Sequence, residues 1–153
     1  MINLSELRVG NTVNKTNLMF NDGYYPVTVE SISDYGINVS SSYEGSLDWD
    51  GEENIEGIPL TDEILLTNGF ENEKGIFQHS KLNFFLTPGL ELWVGQWNEV
   101  DNQHPVKIIK FLHQLQNIVF ELFDQYIDLV IPEGIIDEEK KSKWYREMFN
   151  RIN

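Results

Sequence analysis

The chain contains no cysteine, which removes disulfide bridges, thiolate-held zinc, iron–sulfur clusters and thiol catalysis together. A reducing cytoplasm is the expected setting. Basic side chains are scarce: 11 Lys and Arg stand against 25 Asp and Glu in 153 residues, a formal charge of -14. A chain this negative repels phosphate backbones instead of displacing their counterions, so direct nucleic-acid binding is not expected. No apolar run approaches the roughly 20 residues of a membrane span. The opening Met1-Ile2-Asn3-Leu4-Ser5-Glu6 has no basic stretch leading into an apolar one. Neither export nor membrane insertion is expected.

Catalytic signatures are missing as well. His79, His104 and His113 are not at His-x-x-x-His spacing, and a histidine-rich transition-metal site is therefore not expected. The chain has no Gly-x-Ser-x-Gly elbow and no phosphate-cradling Gly-x-x-x-x-Gly-Lys. It reads as a non-enzyme without a cofactor. Asp48-Trp49-Asp50-Gly51-Glu52-Glu53 invites a calcium reading, but an EF-hand loop requires glycine at its sixth position. Counted from Asp48, Gly51 is fourth, and the match fails.

What the sequence does have is enough apolar surface for a core, with 41% hydrophobic and 12% aromatic residues. Withdrawing that surface from water offsets chain entropy, so a folded globular protein is expected. Charge is uneven: residues 1–76 carry 3 basic and 14 acidic side chains, residues 77–153 carry 8 and 11. The densest acidity runs from Glu44 to Glu56, where Glu44, Asp48, Asp50, Glu52, Glu53 and Glu56 surround Gly45, Gly51 and Trp49. Such a composition predicts an exposed loop. Glu44, Asp48, Trp49, Asp50, Glu52 and Glu53 are the candidate partner-binding residues, with Trp49 as the anchor, although a solvated loop needs no partner.

Hydrophobic period divides the chain into elements. Leu7–Val13, Tyr25–Ile32 and Tyr35–Val39 read as strands, with Val27, Val29 and Ile32, like Ile37 and Val39, on one face. They predict a small antiparallel meander or an SH3-like barrel over residues 1–57. Ile58–Phe70 contains a short helix with Thr61 as N-cap, Asp62 and Glu63 in the first turn, and Gly69 just past the end. Ile76–His79, Leu82–Leu86 and Leu90–Trp97 form a second meander. After His104-Pro105, Ile108, Leu112, Leu115, Val119, Leu122 and Tyr126 recur at spacings of three and four, predicting one long amphipathic helix over 106–123. Tyr126–Ile131 suggests a strand, and residues 137–153 a C-terminal helix with Trp144, Tyr145, Met148, Phe149 and Ile152 on its apolar face. The expectation is a single α+β domain, with parts 1–57, 58–136 and 137–153.

On the long helix, Lys110, His113, Gln114, Asn117, Glu121 and Asp124 fall along one polar stripe. Lys110, His113, Gln114 and Asn117 are the candidate ligand-binding residues. The plainer reading is a solvated face or a buried hydrogen-bond network.

Two stretches carry a resemblance. Ile55-Glu56-Gly57-Ile58-Pro59-Leu60-Thr61-Asp62-Glu63-Ile64-Leu65-Leu66-Thr67-Asn68-Gly69-Phe70 and Val106-Lys107-Ile108-Ile109-Lys110-Phe111-Leu112-His113-Gln114-Leu115-Gln116-Asn117-Ile118-Val119-Phe120 resemble signatures of small uncharacterised proteins of Bacteroidetes and their phages or prophages. Glu6-Leu7-Arg8-Val9-Gly10-Asn11 is similar to that family's opening, and the family pattern ends near Phe123. The resemblance implies a bacterial or phage cytoplasm and supplies no activity. The leading functional reading is a phage or mobile-element accessory protein that binds a host or phage protein, in its sharper form an acidic inhibitor or DNA mimic. One alternative is a nucleotide-signal binder using Lys107, Lys110 and His113; another is a metal-dependent hydrolase.

Overall fold

The computed structural model describes residues 2–16, 24–41, 45–50, 54–97, 105–123 and 131. Those residues form an α+β structure with two antiparallel five-stranded sheets and two α-helices. The described residues divide into two compact units, the first of residues 2–58 together with 131 and the second of residues 59–123.

In the first unit, β1 (Thr12–Thr16), β2 (Tyr24–Ser33), β3 (Gly36–Ser41), β4 (Gly45–Asp50) and β5 (Ile55–Glu56) lie in the order β4-β3-β2-β1-β5. The first four strands make a meander, and β5 returns to pair with β1. The order has two ends, so no closed barrel is formed by the described ladders. Ile2, Leu7, Val13, Val27, Val29, Ile37, Val39 and Ile55 form the core. Period two accounts for the pairs Val27/Val29 and Ile37/Val39. A register shift between Val29 and Ser31 then puts Ile32 opposite Ile37. This bulge returns Ile32 to the phase of Val29, since directly opposed residues share a face. Ile32 sits near the strand end and remains 39% exposed.

The strand predicted from Leu7 starts instead at Thr12. Asparagine side chains divert the backbone before it. Asn3 accepts the Ser5 N–H at 3.0 Å and caps a short 3-10 helix, Leu4–Glu6. The buried Asn11 side chain accepts the Arg8 N–H at 2.8 Å and closes the turn that leads into β1.

The second unit begins with α1 (Asp62–Thr67). Its ends agree with the sequence reading: Thr61 Oγ1 accepts the Ile64 N–H at 3.2 Å, and Gly69, at φ +83, donates its N–H to the Leu66 carbonyl at 3.1 Å. A Cβ on Gly69 would stand 3.1 Å from Nε2 of His79. Glycine therefore meets both a backbone and a space requirement here.

The second sheet follows chain order: β6 (Phe70–Glu73), β7 (Ile76–His79), β8 (Phe84–Leu86), β9 (Glu91–Val94) and β10 (Lys107–Ile108). The predicted meander is present, with a strand added at each side. Cross-strand pairing places Phe70, Phe77, Phe84, Leu86 and Leu92 on one face, and all five are buried. Ile64 and Leu65 of α1 are buried as well.

The long helix is shorter than expected. Val106 donates its N–H to Leu92 and Ile109 donates to Leu90, each at 2.8 Å, so residues 107–108 extend as an edge strand. Phe111 bridges Pro59, and α2 runs from Leu112 to Phe123. Non-local sheet pairing overrides helical period at Val106, Lys107 and Ile108. Ile108 is consequently half exposed, whereas Leu112, Leu115 and Val119 are buried as their spacing requires. The predicted strand before Ile131 and the predicted C-terminal helix over 137–153 lie outside the described residues.

Candidate functional site

The acidic segment is not simply a loop. Asp48, Trp49 and Asp50 belong to β4, where Trp49 pairs with Asn38 and Asp50 with Ile37. Glu56 belongs to β5, opposite Asn14. Strands β4 and β5 end the first sheet at its opposite sides, so the segment supplies both sheet edges. The loop reading failed because strand pairing satisfies the backbone in spite of low β-propensity at Gly45, Asp48 and Asp50. Glu44, Glu52 and Glu53 lie outside the described residues. Beside β4, the Ser40 hydroxyl donates to the Glu30 carboxylate, which places a further acidic group on the β2–β3 ladder.

The expected polar stripe on α2 is divided among different tasks. Lys110 is exposed and precedes the helix. His113 is fully buried, its ring stacked on Phe111 at 5.7 Å and 14°. Gln114 Oε1 accepts the N–H groups of Lys110 at 2.9 Å and Phe111 at 3.3 Å. With Phe111 as N-cap, Gln114 stands at the third helical position and performs the reciprocal half of a capping box. Asn117 is half-buried. The structure brings Lys110 and Gln114 together through backbone, and places His113 in the interior.

A different constellation lies on the second sheet's other face. Glu71 pairs with Gln78 and Glu73 with Ile76; these four residues, Ser80 and Trp97 line an open groove of about 230 Å³. Ile76 is buried at 7% exposure, while Trp97 is 43% exposed. Trp97 meets Phe85 edge-on at 5.7 Å, and Trp93 stacks on the same ring at 6.0 Å. Nε1 of Trp93 is buried without a hydrogen-bond partner among the described residues. Sequence reading passed over Glu71, Glu73, Gln78 and Ser80. The available signal was Gly75 at the end of the polar run Glu71-Asn72-Glu73-Lys74, a composition suited to a turn at Lys74-Gly75.

His79 joins the end of α1 to the second sheet. Its Nδ1 accepts the Lys81 N–H at 3.1 Å, and its ring meets Phe70 edge-on at 5.3 Å. Burial, reinforced by the Lys81 charge, lowers its pKa below the usual histidine value, against a smaller upward effect from a hydrogen bond with the Asn68 backbone. Neutral imidazole is the form these contacts select. Among the described residues, no three His, Cys, Asp or Glu side chains are grouped to hold a metal ion, and no helix is long and apolar enough to cross a membrane.

Comparison with family models, curated proteins and solved structures finds no match to this chain.

Proposed function

We propose that this protein acts without catalysis, by binding a basic surface on another protein, and that the acidic β4 edge makes the contact. The observation carrying this reading is the position of β4: a strand bearing Asp48 and Asp50 ends the first sheet's strand order. An edge strand offers backbone donors and acceptors to an incoming strand. Acidic side chains along it favour a basic partner and oppose pairing between two copies of the chain. The resemblance to proteins of Bacteroidetes phages and prophages supports a phage or mobile-element accessory role in the cytoplasm. Inhibition of a host defence protein is the specific form of that role, with carboxylates occupying a site built for nucleic-acid phosphates.

The test begins with capture of a partner from a Bacteroidetes host lysate, followed by association kinetics on the purified pair. The on-rate should fall as salt rises and should fall again when Asp48, Asp50, Glu52 and Glu53 become Asn or Gln. Kinetics indifferent to both changes would refute the acidic contact.

A further inference from the structure

We propose that the groove over the β6–β7 hairpin is a receptor for a single arginine side chain presented by a polypeptide. Its construction starts from strand geometry. Glu71 and Glu73 are alternate residues of β6, so both carboxylates belong to one face, their Cα atoms about 7 Å apart. Strand β6 ends the second sheet, which leaves this pair accessible from the side as well as from above. Their cross-strand partners, Gln78 and Ile76, supply an amide and an apolar floor.

Trp97 supplies a wall. Its ring packs edge-on against Phe85, and 43% of its surface remains exposed. A half-exposed indole lining the same groove as two glutamates suits a guanidinium, which is planar, stacks on an aromatic face and donates a fork of N–H groups to a carboxylate. Among the described residues neither Glu71 nor Glu73 has an ion-pair partner for its carboxylate.

Size and charge narrow the ligand. A volume of about 230 Å³ falls below the ~300 to 1,000 Å³ of pockets that enclose whole drug-sized molecules. One side chain is the appropriate scale. Paired carboxylates reject an anion. A neutral sugar would use the indole but would gain little from two charges. All the residues lining the groove lie in the second unit, so a groove that fails to bind arginine leaves the β4 contact untouched.

The experiment is an NMR titration of the ¹⁵N-labelled full chain with N-acetyl-arginine methylamide, with its neutral isostere N-acetyl-citrulline methylamide, and with methyl glucoside. The Trp97 indole signal is identified by its loss in Trp97→Phe. Arginine should shift that signal and the amides of residues 71–78. Citrulline should bind about tenfold more weakly, a difference of about 1.4 kcal/mol, since it keeps the shape but loses the charge that strengthens a hydrogen bond to carboxylate. Glu71→Gln combined with Glu73→Gln should weaken arginine binding by a similar factor while spectral dispersion is retained. A second variant, Trp97→Leu, tests the wall separately and should also weaken it. Equal binding of arginine and citrulline, preference for the glucoside, shifts confined elsewhere, or no perturbation at the solubility limit would each overturn the assignment.

Discussion

Gln114 folds its carboxamide oxygen back onto the backbone N–H of Lys110 at 2.9 Å, one turn before its own position in α2. The same oxygen receives Phe111 N–H, so one side chain satisfies two donors where the chain turns from strand to helix. Replacing Gln114 with Ala should therefore destabilise the second unit by about 0.5 to 2 kcal/mol, the range of lost helix caps. Urea unfolding of the variant measures it. A midpoint equal to that of the parent would show that the cap contributes nothing.

Leu115 and Ile108 were equivalent in the sequence pattern but are opposite in environment, 0% and 50% exposed. Leu115→Ala should cost roughly 2 to 5 kcal/mol through lost burial and the cavity left behind. Ile108→Ala should fall within about 0.5 kcal/mol of the parent, as surface changes usually do. Comparable losses at both sites would restore the continuous helix over 106–123.

The β6–β7 hairpin turns on Lys74 and Gly75, with φ of 55 and 88, both in the left-handed region that a mirror-image turn requires. Asn72 Oδ1 steadies it by accepting the Gly75 N–H at 2.8 Å. Lysine is strained there and asparagine is not, so Lys74→Asn should raise stability by about 0.5 to 1 kcal/mol, part of the left-handed cost for an ordinary side chain. Gly75→Ala should do the reverse by about 1 to 3 kcal/mol, because its Cβ would also lie 3.0 Å from Pro88 Cγ. Thermal melts of the two variants shifting in the same direction would contradict this account.

His79 makes stability depend on pH. Its folded-state pKa lies below the ordinary 6.5, so the unfolded chain takes up this proton first as pH falls. The contribution is complete above about pH 6.5 and declines below it until the folded form is protonated too. His79→Gln should flatten the fall in unfolding midpoint between about pH 7 and pH 5.5. Parallel profiles for the two proteins would remove His79 as the source.

What could be read beforehand was local. Thr61, Asp62 and Gly69 mark α1 because capping depends on residues within one turn. Val27, Val29, Ile37 and Val39 mark their strands because alternation survives without knowledge of the partner. The start of α2 was not legible, since it depends on hydrogen bonds from Val106 and Ile109 to Leu92 and Leu90. Strand β6 was missed for a related reason: Glu71, Asn72 and Glu73 carry little apolar signal, and pairing with β7 defines them. The groove could not be read either, because Trp97 reaches it from a segment 24 positions beyond Glu73. The acidic composition of residues 44–56 was plain, but composition does not reveal that β4 and β5 end opposite sides of one sheet.

That sheet order also governs timing. Strands β6 to β8 each pair with the next strand in the chain across two to four residues, so these three ladders can close soon after their second strand leaves the ribosome. Short closures cost little chain entropy and form quickly. The β1–β5 ladder joins Asn14 to Glu56 and Lys15 to Ile55, so its first strand must wait some 40 residues for its partner. During synthesis, β1 has β2 beside it well before its other side is covered. Its exposed side then depends on the charge of Lys15 to discourage pairing with a neighbouring nascent chain.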